Sequence, residues 1–300
     1  MSDTLESLRR KMGGAVDLKS VVRSMKALAA ASIGQYEKSV LALADYERAV
    51  ELGLAACLRD RRDAFSRANE PGTASKAVNA IVFGSDQGLV GQFNDVLADR
   101  VARSLEPYSG EKNVWAVGDR IQSRLADHGL SPVGLFTVPT SVNSIAPLLG
   151  QILVESEARH GGGEAVQLYL FHNRPTSRAE YEPVVQRLLP LDREWGLRLS
   201  RLPWPTKVIP EVLSGREQTL RAIIREYLFV SLFKACVESL AAENASRLAA
   251  MQRAEKNIDE LVDQLNQSYR RMRQNTIDEE LFDVVSGYEA MSKKKRNNGK

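Results

Sequence analysis

The chain has 300 residues, of which 43% are hydrophobic and 26% are charged, the balance of a soluble protein with a packed core. This composition excludes disordered and collagen-like classes of protein. Lys and Arg number 41 against 38 Asp and Glu, and the resulting formal net charge of +3 is too small to indicate a nucleic-acid or lipid partner.

Residues 1–70 are predicted to form one long helix. The segment contains no proline, which would disrupt a helix interior at a cost of about 3 kcal/mol, and apolar or small residues recur along it in steps of three and four. Gly13, Gly14 and Gly34 weaken the pattern and indicate either a bend or the close approach of another backbone.

Residues 71–210 contain every proline and alternate between strand and helix patterns. Strands are predicted at residues 77–83, 113–117, 135–138, 165–171 and 181–189. Helices are predicted at residues 92–105 and 119–128, and from the candidate N-cap Ser141 to residue 160. Such βα units predict a Rossmann-like α/β domain with a mostly parallel sheet covered by helices.

Residues 211–290 carry a second long stripe of apolar residues at helical spacing. A lone amphipathic helix would leave its apolar stripe in water, so the two terminal helices are expected to pair as an antiparallel coiled coil. The fold class is therefore α/β with a long coiled coil, in which the globular α/β domain is inserted between the two helices. Residues 291–300 form a basic tail that is expected to be disordered.

The turn at residues 84–91 invites a dinucleotide-binding interpretation. In the GxGxxG register Gly88 and Gly91 align, but Asp86 replaces the first glycine and places a carboxylate where a pyrophosphate would approach the backbone. Asp119 could imitate the acid that binds a ribose, so a nucleotide-binding α/β protein stays open as an alternative. The simpler interpretation is a tight turn.

Other chemical motifs are missing from the sequence. It contains no GxxxxGK[ST] and no GxSxG, and His128, His160 and His172 lack metal-ligand spacing and are expected at the surface or at strand ends. Cys57 and Cys236 form no CxxC motif, which favours a reducing compartment, and both are expected to be small core residues. The composition and spacing predict a protein that is not itself an enzyme and that binds no cofactor, metal or nucleic acid.

Membrane insertion is not predicted either. The N-terminus is charged where a signal peptide would be apolar, and it carries acids that a transit peptide avoids. The longest apolar run, residues 227–237, is interrupted by Lys234 and is shorter than the roughly 20 residues that a bilayer span requires. The chain is therefore not expected to cross a membrane by itself.

Three segments resemble the gamma subunit of F-type rotary ATP synthases. Residues 8–11 (LRRK) and 22–31 (VRSMKALAAA) resemble the family's opening "IRRRI…ITKAMKMVAAAK", and residues 85–94 (SDQGLVGQFN) resemble its "SDRGLCGGFN" turn. Residues 242–251 (AENASRLAAM) resemble its "SEhaARMxAM", and the spaced residues that follow this motif in the family are matched by Asn257, Leu261, Leu265, Tyr269, Arg273 and Gln274. The resemblance extends over nearly the whole chain.

The resemblance implies a non-catalytic subunit of an ion-translocating ATP synthase. In that family the paired helices form a rotating shaft inside the ring of alpha and beta subunits, and the α/β domain forms a foot on the membrane c-ring, beside the epsilon subunit. The shaft couples the flow of protons or sodium ions to ATP synthesis or hydrolysis. The implied location is peripheral, on the cytoplasmic face of a bacterial plasma membrane. A coiled-coil scaffold without a rotary role is the alternative, beside the nucleotide-binding protein above.

Motif matching also implies partner-contact residues. Met25 and Lys26 match the level of the shaft that passes the levers of the catalytic subunits, although Met25 equally suits the apolar stripe. The polar contact higher in the ring corresponds to Arg273, Gln274 and Glu280, and the turn after the first strand contributes Ser85 and Asp86. Departures from the family pattern, such as Asp278 in place of threonine and the added basic tail, indicate a divergent branch.

Overall fold

The structure, a computed structural model, describes residues 4–58, 77–158, 167–176, 181–191, 193–208 and 215–297. The chain divides into two compact units, each of which includes part of both terminal segments. We call Met1–Ala27 with Met251–Lys300 the end unit, and Leu28–Ala250 the sheet unit. His160, the first two positions of the predicted strand at 165–171 and the tail residues 298–300 lie outside the described residues.

Two long helices occupy the ends of the chain. Helix α1 spans Leu5–Leu58, and the last helix, α6, spans Arg216–Asn297. A reciprocal cap starts α1, because the backbone N–H of Ser7 donates to Thr4 Oγ1 and that of Thr4 donates to Ser7 Oγ, both at 3.2 Å. Helix α6 extends past residue 290, where the sequence analysis ended it, because Lys and Arg favour helix and no glycine or proline follows Gly287 until Gly299.

The glycines of α1 do not mark a close approach of another backbone. A Cβ atom built at Gly13, Gly14 or Gly34 would meet no atom within 4 Å outside its own stretch of helix. The alternative of close backbone packing at these positions is therefore wrong.

In the end unit, α1 and α6 are antiparallel and pack through an apolar seam. The buried residues of this seam are Leu8, Ala15, Val22, Met251 and Ile258. Those on α1 recur every seven residues, the repeat of a coiled coil. The order of the ion pairs gives the direction, because Lys19 pairs with Asp259 whereas Arg23, further along α1, pairs with the earlier residue Glu255. The predicted antiparallel coiled coil is confirmed here.

The sheet unit is built on five strands in the order β3-β2-β1-β4-β5. The strands are β1 (Ala77–Phe83), β2 (Glu111–Val117), β3 (Gly134–Phe136), β4 (Gln167–Pro175) and β5 (Tyr181–Leu189). The neighbours from β3 to β4 are parallel, and β5 is antiparallel to β4. The predicted, mostly parallel sheet is therefore confirmed.

Helices cover both faces of this sheet. They are α2 (Phe93–Leu105), α3 (Asp119–Asp127) and α4 (Ile145–Ala158), with a 3₁₀ turn at Val142–Ser144 before α4. The short helix α5 (Arg193–Ser200) packs against α1 and α6 instead. Side chains alternate along β1, so Ala80 and Val82 pack with α2 and α3, whereas Ile81 and Phe83 pack with α4 and α6. Helix α5 escaped prediction because it is short and contains Gly196. Among the described residues, none of the helices is long and apolar enough to span a bilayer.

Candidate functional site

The turn after β1 is closed by the chain's own carboxylate. Asp86 Oδ1 accepts a hydrogen bond from the backbone N–H of Asp119 (3.1 Å), and Oδ2 accepts one from that of Val138 (2.9 Å). Asp119 is the first residue of α3, where free N–H groups and the helix dipole would attract an anion. Because Asp86 already supplies that anion, the interpretation of residues 84–91 as a structural turn is supported.

Ser85 is tied into the same turn. Its backbone N–H donates to Asn94 Oδ1 (3.1 Å), its hydroxyl accepts from Asn94 Nδ2 (2.8 Å), and that hydroxyl donates to the carbonyl of Gln87 (2.9 Å). Ser85 is fully buried, and Asp86 is half-buried. Both predicted contact residues thus have internal roles, and their contact with a partner stays a prediction.

Leu89 is the outermost apolar side chain of this turn, and the sequence analysis did not single it out. It is 62% exposed and has a φ of 62°, a left-handed conformation that is unusual for a branched side chain. Such backbone strain often accompanies a functional surface. A glycine-rich turn was the available signal, but nothing in the sequence distinguished the leucine from its neighbours.

Helix α6 fills the crevice in which an open α/β sheet usually binds its ligand. That crevice lies at the carboxyl ends of β1 and β4, where the strand order reverses. Ser239 of α6 donates a hydrogen bond to the carbonyl of Phe83 (2.9 Å), the last residue of β1. His172, which pairs with Phe83 across the two strands, contacts Glu238 of α6. The space that a nucleotide would need is therefore occupied by the helix.

The contact between His172 and Glu238 is a buried hydrogen bond that Arg174 shares. His172 Nε2 lies 2.7 Å from Glu238 Oε2, and Arg174 Nε donates to the same oxygen at 3.2 Å. Burial raises the pKa of Glu238, but the hydrogen bond and charge of His172, with the charge of Arg174, outweigh burial and leave that pKa below its ordinary value. Of the two places expected for the histidines, His172 occupies a strand near its carboxyl end, where it is 1% exposed, whereas His128 lies at the surface beside Asp99.

Two of the three family-like segments meet in this unit. Ala242 of α6 packs against Val90 and Phe93, and Ser246 donates a hydrogen bond to the carbonyl of Val90. Glu243, on the same stretch of α6, is buried beside Arg247 at 2.5 Å. Burial raises the pKa of Glu243, an effect that the charge of Arg247 partly offsets. The turn and the α6 motif thus form one packed contact.

A cavity of about 680 Å³ adjoins His172, between β5, α5 and the long helices of the sheet unit. Its carboxylates have cationic partners in the wall, since Glu47 pairs with Lys234 at 2.9 Å and Glu51 lies 3.9 Å from Arg198. Trp195 and Tyr227 stack edge to face at 5.1 Å on its apolar side. Among the described residues no cluster of three or more His, Cys, Asp or Glu side chains could hold a metal ion.

The end unit contains the two residues predicted to pass the catalytic levers. Met25 and Lys26 are both half-buried, and the Lys26 ammonium contacts Glu255 Oε2 of α6. Arg23 Nε donates to the other oxygen of Glu255 at 2.8 Å. The hydrogen bonds from Arg23 and Lys26 lower the pKa of Glu255 to about 2. Lys26 is therefore held by the helix pair rather than free in solvent.

The remaining predicted contacts lie further along α6. Arg273, Gln274 and Glu280 are exposed, and Arg273 and Glu280 share one face because seven residues are about two helical turns. Large apolar side chains are exposed in the same stretch: Ile277, Leu281, Phe282, Val284, Val285 and Tyr288. This is an apolar surface with no cover in the described part of the chain, as a contact surface for other subunits would be.

Comparisons with known proteins match the whole chain. The sequence model of the ATP synthase family matches residues 4–291. The ATP synthase gamma chain of Nitrosomonas europaea is 30% identical over 229 residues, which cover 72% of this chain and 75% of the relative. That of Anaeromyxobacter sp. (strain Fw109-5) is 26% identical over 297 residues, 96% of this chain and 99% of the relative.

Two solved structures have the same fold. A chain of the Euglena gracilis mitochondrial ATP synthase, in a structure of OSCP, F1 and c-ring, aligns with a TM-score of 0.63 at 15% identity, covering 96% of this chain and 94% of its own. A chain of the Tetrahymena thermophila mitochondrial ATP synthase, in a structure of the central stalk and c-ring, aligns with a TM-score of 0.54 at 21% identity. The alignment covers 78% of this chain and 99% of the Tetrahymena chain. At these identities the alignments establish the arrangement of helices and sheet.

Proposed function

The chain belongs to the ATP synthase gamma chain family, and we propose that it is the central rotor shaft of an F-type ATP synthase. It would couple transmembrane flow of protons or sodium ions to ATP synthesis or hydrolysis by rotation. The observation that carries this proposal is the antiparallel pair of α1 and α6 in the end unit, with an α/β sheet inserted between the same two helices in sequence.

The proposed partners follow from the family and from the assemblies in which the solved relatives were determined, which contain F1, c-ring and central stalk. We place the helix pair in a ring of alpha and beta subunits, and the sheet domain against the c-ring and the epsilon subunit. The proposed division is residues 1–70 and 211–290 for the shaft and 71–210 for the foot. The chain would reach the cytoplasmic face of the bacterial membrane only through this complex.

The shaft acts by changing which conformation each catalytic subunit prefers. It can do so only through contacts whose free energy differs between rotational positions, so its surface must differ from side to side. The end unit offers candidates for such contacts at two levels: charged side chains lie near Met25 and Lys26, and a separate stretch of α6 exposes apolar residues beside Arg273, Gln274 and Glu280. We propose these five residues as the contacts with the ring.

We also propose that this chain contributes no catalytic residue to the complex. The filled crevice at the carboxyl ends of β1 and β4 and the internally bonded carboxylate of Asp86 support this view. Equilibrium dialysis of the isolated chain with ATP and with NAD tests it, and micromolar binding of either would favour the alternative of a nucleotide-binding protein.

The rotary role is tested by co-expressing the chain with the alpha, beta and epsilon subunits of its own organism and its membrane sector. Inverted vesicles should then pump ions on ATP addition, and Arg273→Ala should lower ATP-driven pumping. Arg103→Ala, a substitution of an exposed arginine on α2, is the matched control and should leave pumping unchanged. A complex that assembles and hydrolyses ATP equally well without this chain would favour the scaffold alternative.

A further inference from the structure

Glu255 joins two cationic side chains of the opposite helix. Its Oε1 accepts from Arg23 Nε at 2.8 Å, and its Oε2 contacts Lys26 Nζ. The Glu255 side chain is 17% exposed and is thus less exposed than its two partners, since Arg23 is 61% and Lys26 is 34% exposed. Arg23 and Lys26 are three residues apart, so they lie about 4.5 Å apart along the helix axis. One carboxylate thus spans nearly a full turn of α1.

Apolar packing alone does not fix how far one helix slides along another. Burial of apolar surface is not directional, so it restrains sliding less than a hydrogen bond does. Hydrogen bonds are directional and weaken steeply when the donor moves. A slide of one residue shifts α1 by about 1.5 Å, which would break at least one of the two contacts of Glu255.

Two acidic side chains of α6 face the cations of α1 at this level. Glu255 faces Arg23 and Lys26 on α1, while Asp259, one turn further along α6, contacts Lys19 and also attracts Arg23. Asp259 is 50% exposed and contacts a single cation. Glu255 is therefore the stronger restraint of the two, because it is less exposed and holds two partners.

We propose that Glu255 is a positioning residue that fixes the register of α1 against α6 and holds the Lys26 side chain in one orientation on the shaft. The second half of this statement rests on the proposed rotary function, in which Lys26 contacts the catalytic ring. Without Glu255 the two cations would be mobile, and the contact that the shaft offers at this level would vary from molecule to molecule.

The register is tested on the full-length free chain. Spin labels on Ser20→Cys and Gln252→Cys, both exposed positions of the end unit, report the distance between α1 and α6. The native cysteines are buried and should not react. We expect Glu255→Gln to broaden the distance distribution, because the amide loses the oxygen that contacts Lys26 Nζ. Glu255→Asp keeps the charge but shortens the side chain by one methylene, so it should lie between Glu255→Gln and wild type, and Asp259→Asn should stay close to wild type.

The functional half is tested in the assembled complex by the ratio of ATP-driven ion pumping to ATP hydrolysis. Glu255→Gln should lower this ratio about two- to fivefold, the range over which a partly exposed ion pair shifts an equilibrium. Glu255→Asp should recover part of it, and Asp259→Asn should leave it unchanged. An unaltered distance distribution in Glu255→Gln, or an effect of Asp259→Asn of equal size, would overturn the register assignment.

An altered distance with an unaltered pumping ratio would overturn the positioning of Lys26. If the wild-type complex itself does not pump, the proposed function fails, whereas the distances in the free chain still decide the register. The two proposals are thus tested separately.

Discussion

Replacing Glu238 by alanine tests whether α6 is held on the sheet through His172. The substitution removes the acceptor of both His172 Nε2 (2.7 Å) and Arg174 Nε (3.2 Å). Leaving a buried hydrogen-bonding group without its partner costs about 1–3 kcal/mol, and more where a charged group is involved. The His172 side chain is only 2% exposed, whereas that of Arg174 is 46% exposed and can bond to water. We therefore expect a cost of about 3 kcal/mol, because the buried imidazole loses a charged partner.

Glu238→Gln tests the negative charge of Glu238 separately from the volume of its side chain. The amide keeps the volume and an acceptor oxygen for His172, so its cost should be about 1 kcal/mol. The pKa of Glu238 lies below its ordinary value, so the carboxylate stabilises the folded state above pH 4.5 and this contribution is lost as the pH falls further. The difference in stability between wild type and Glu238→Gln should accordingly narrow below pH 4.5.

Urea unfolding followed by tryptophan fluorescence is the suitable assay. Trp115, Trp195 and Trp204 all belong to the sheet unit, so their signal reports the unit that contains Glu238. Glu182→Gln is the matched control: Glu182 lies 4.0 Å from the same arginine but is 59% exposed, and its loss should cost under about 0.5 kcal/mol. The reasoning fails if Glu238→Ala is no more destabilising than Glu182→Gln.

Four further outcomes are expected. Met25→Lys adds a cation beside Lys26, and the added charge should favour one rotational position of the shaft by about 1 kcal/mol. ATP-driven pumping should therefore fall while assembly survives. Unchanged pumping would make Met25 a packing residue only. Deleting residues 292–300 should leave assembly and ATPase activity near wild type, with at most a salt-sensitive change in rate, and loss of assembly would refute this. Asn94→Ala leaves the buried N–H of Ser85 unpaired and should lower the urea-unfolding free energy by about 2 kcal/mol; a loss under half of that would contradict the assigned bond. Gly14→Ala places its methyl group in open space and should raise the thermal midpoint of the free chain, because Ala stabilises a helix interior by about 0.5–1 kcal/mol relative to Gly. A lower midpoint would show that the methyl group meets a steric clash.

Much of the fold was predictable because it depends on periodicity within short segments. The steps of three and four in α1 and α6, and the apolar run of β1, are local patterns that one segment carries by itself. Prediction weakened where the local signal was poor, as in α5, which is short and contains Gly196. The structural role of Asp86 could also be predicted in part, because a carboxylate would repel the phosphate groups of a nucleotide bound at this turn.

The contacts that carry the candidate sites could be assigned only from the tertiary structure. His172 and Glu238 are 66 residues apart, and Lys26 and Glu255 are 229 residues apart. Nothing near His172 in the sequence indicates that a helix will bury it, and nothing near Lys26 indicates that its charge is already held. The same applies to Ser85 and Asp86, whose bonds to Asn94, Asp119 and Val138 give them internal roles. Residue type and spacing determine which side chains can form a pair. The tertiary packing of the sheet and of the two long helices determines which of them come into contact.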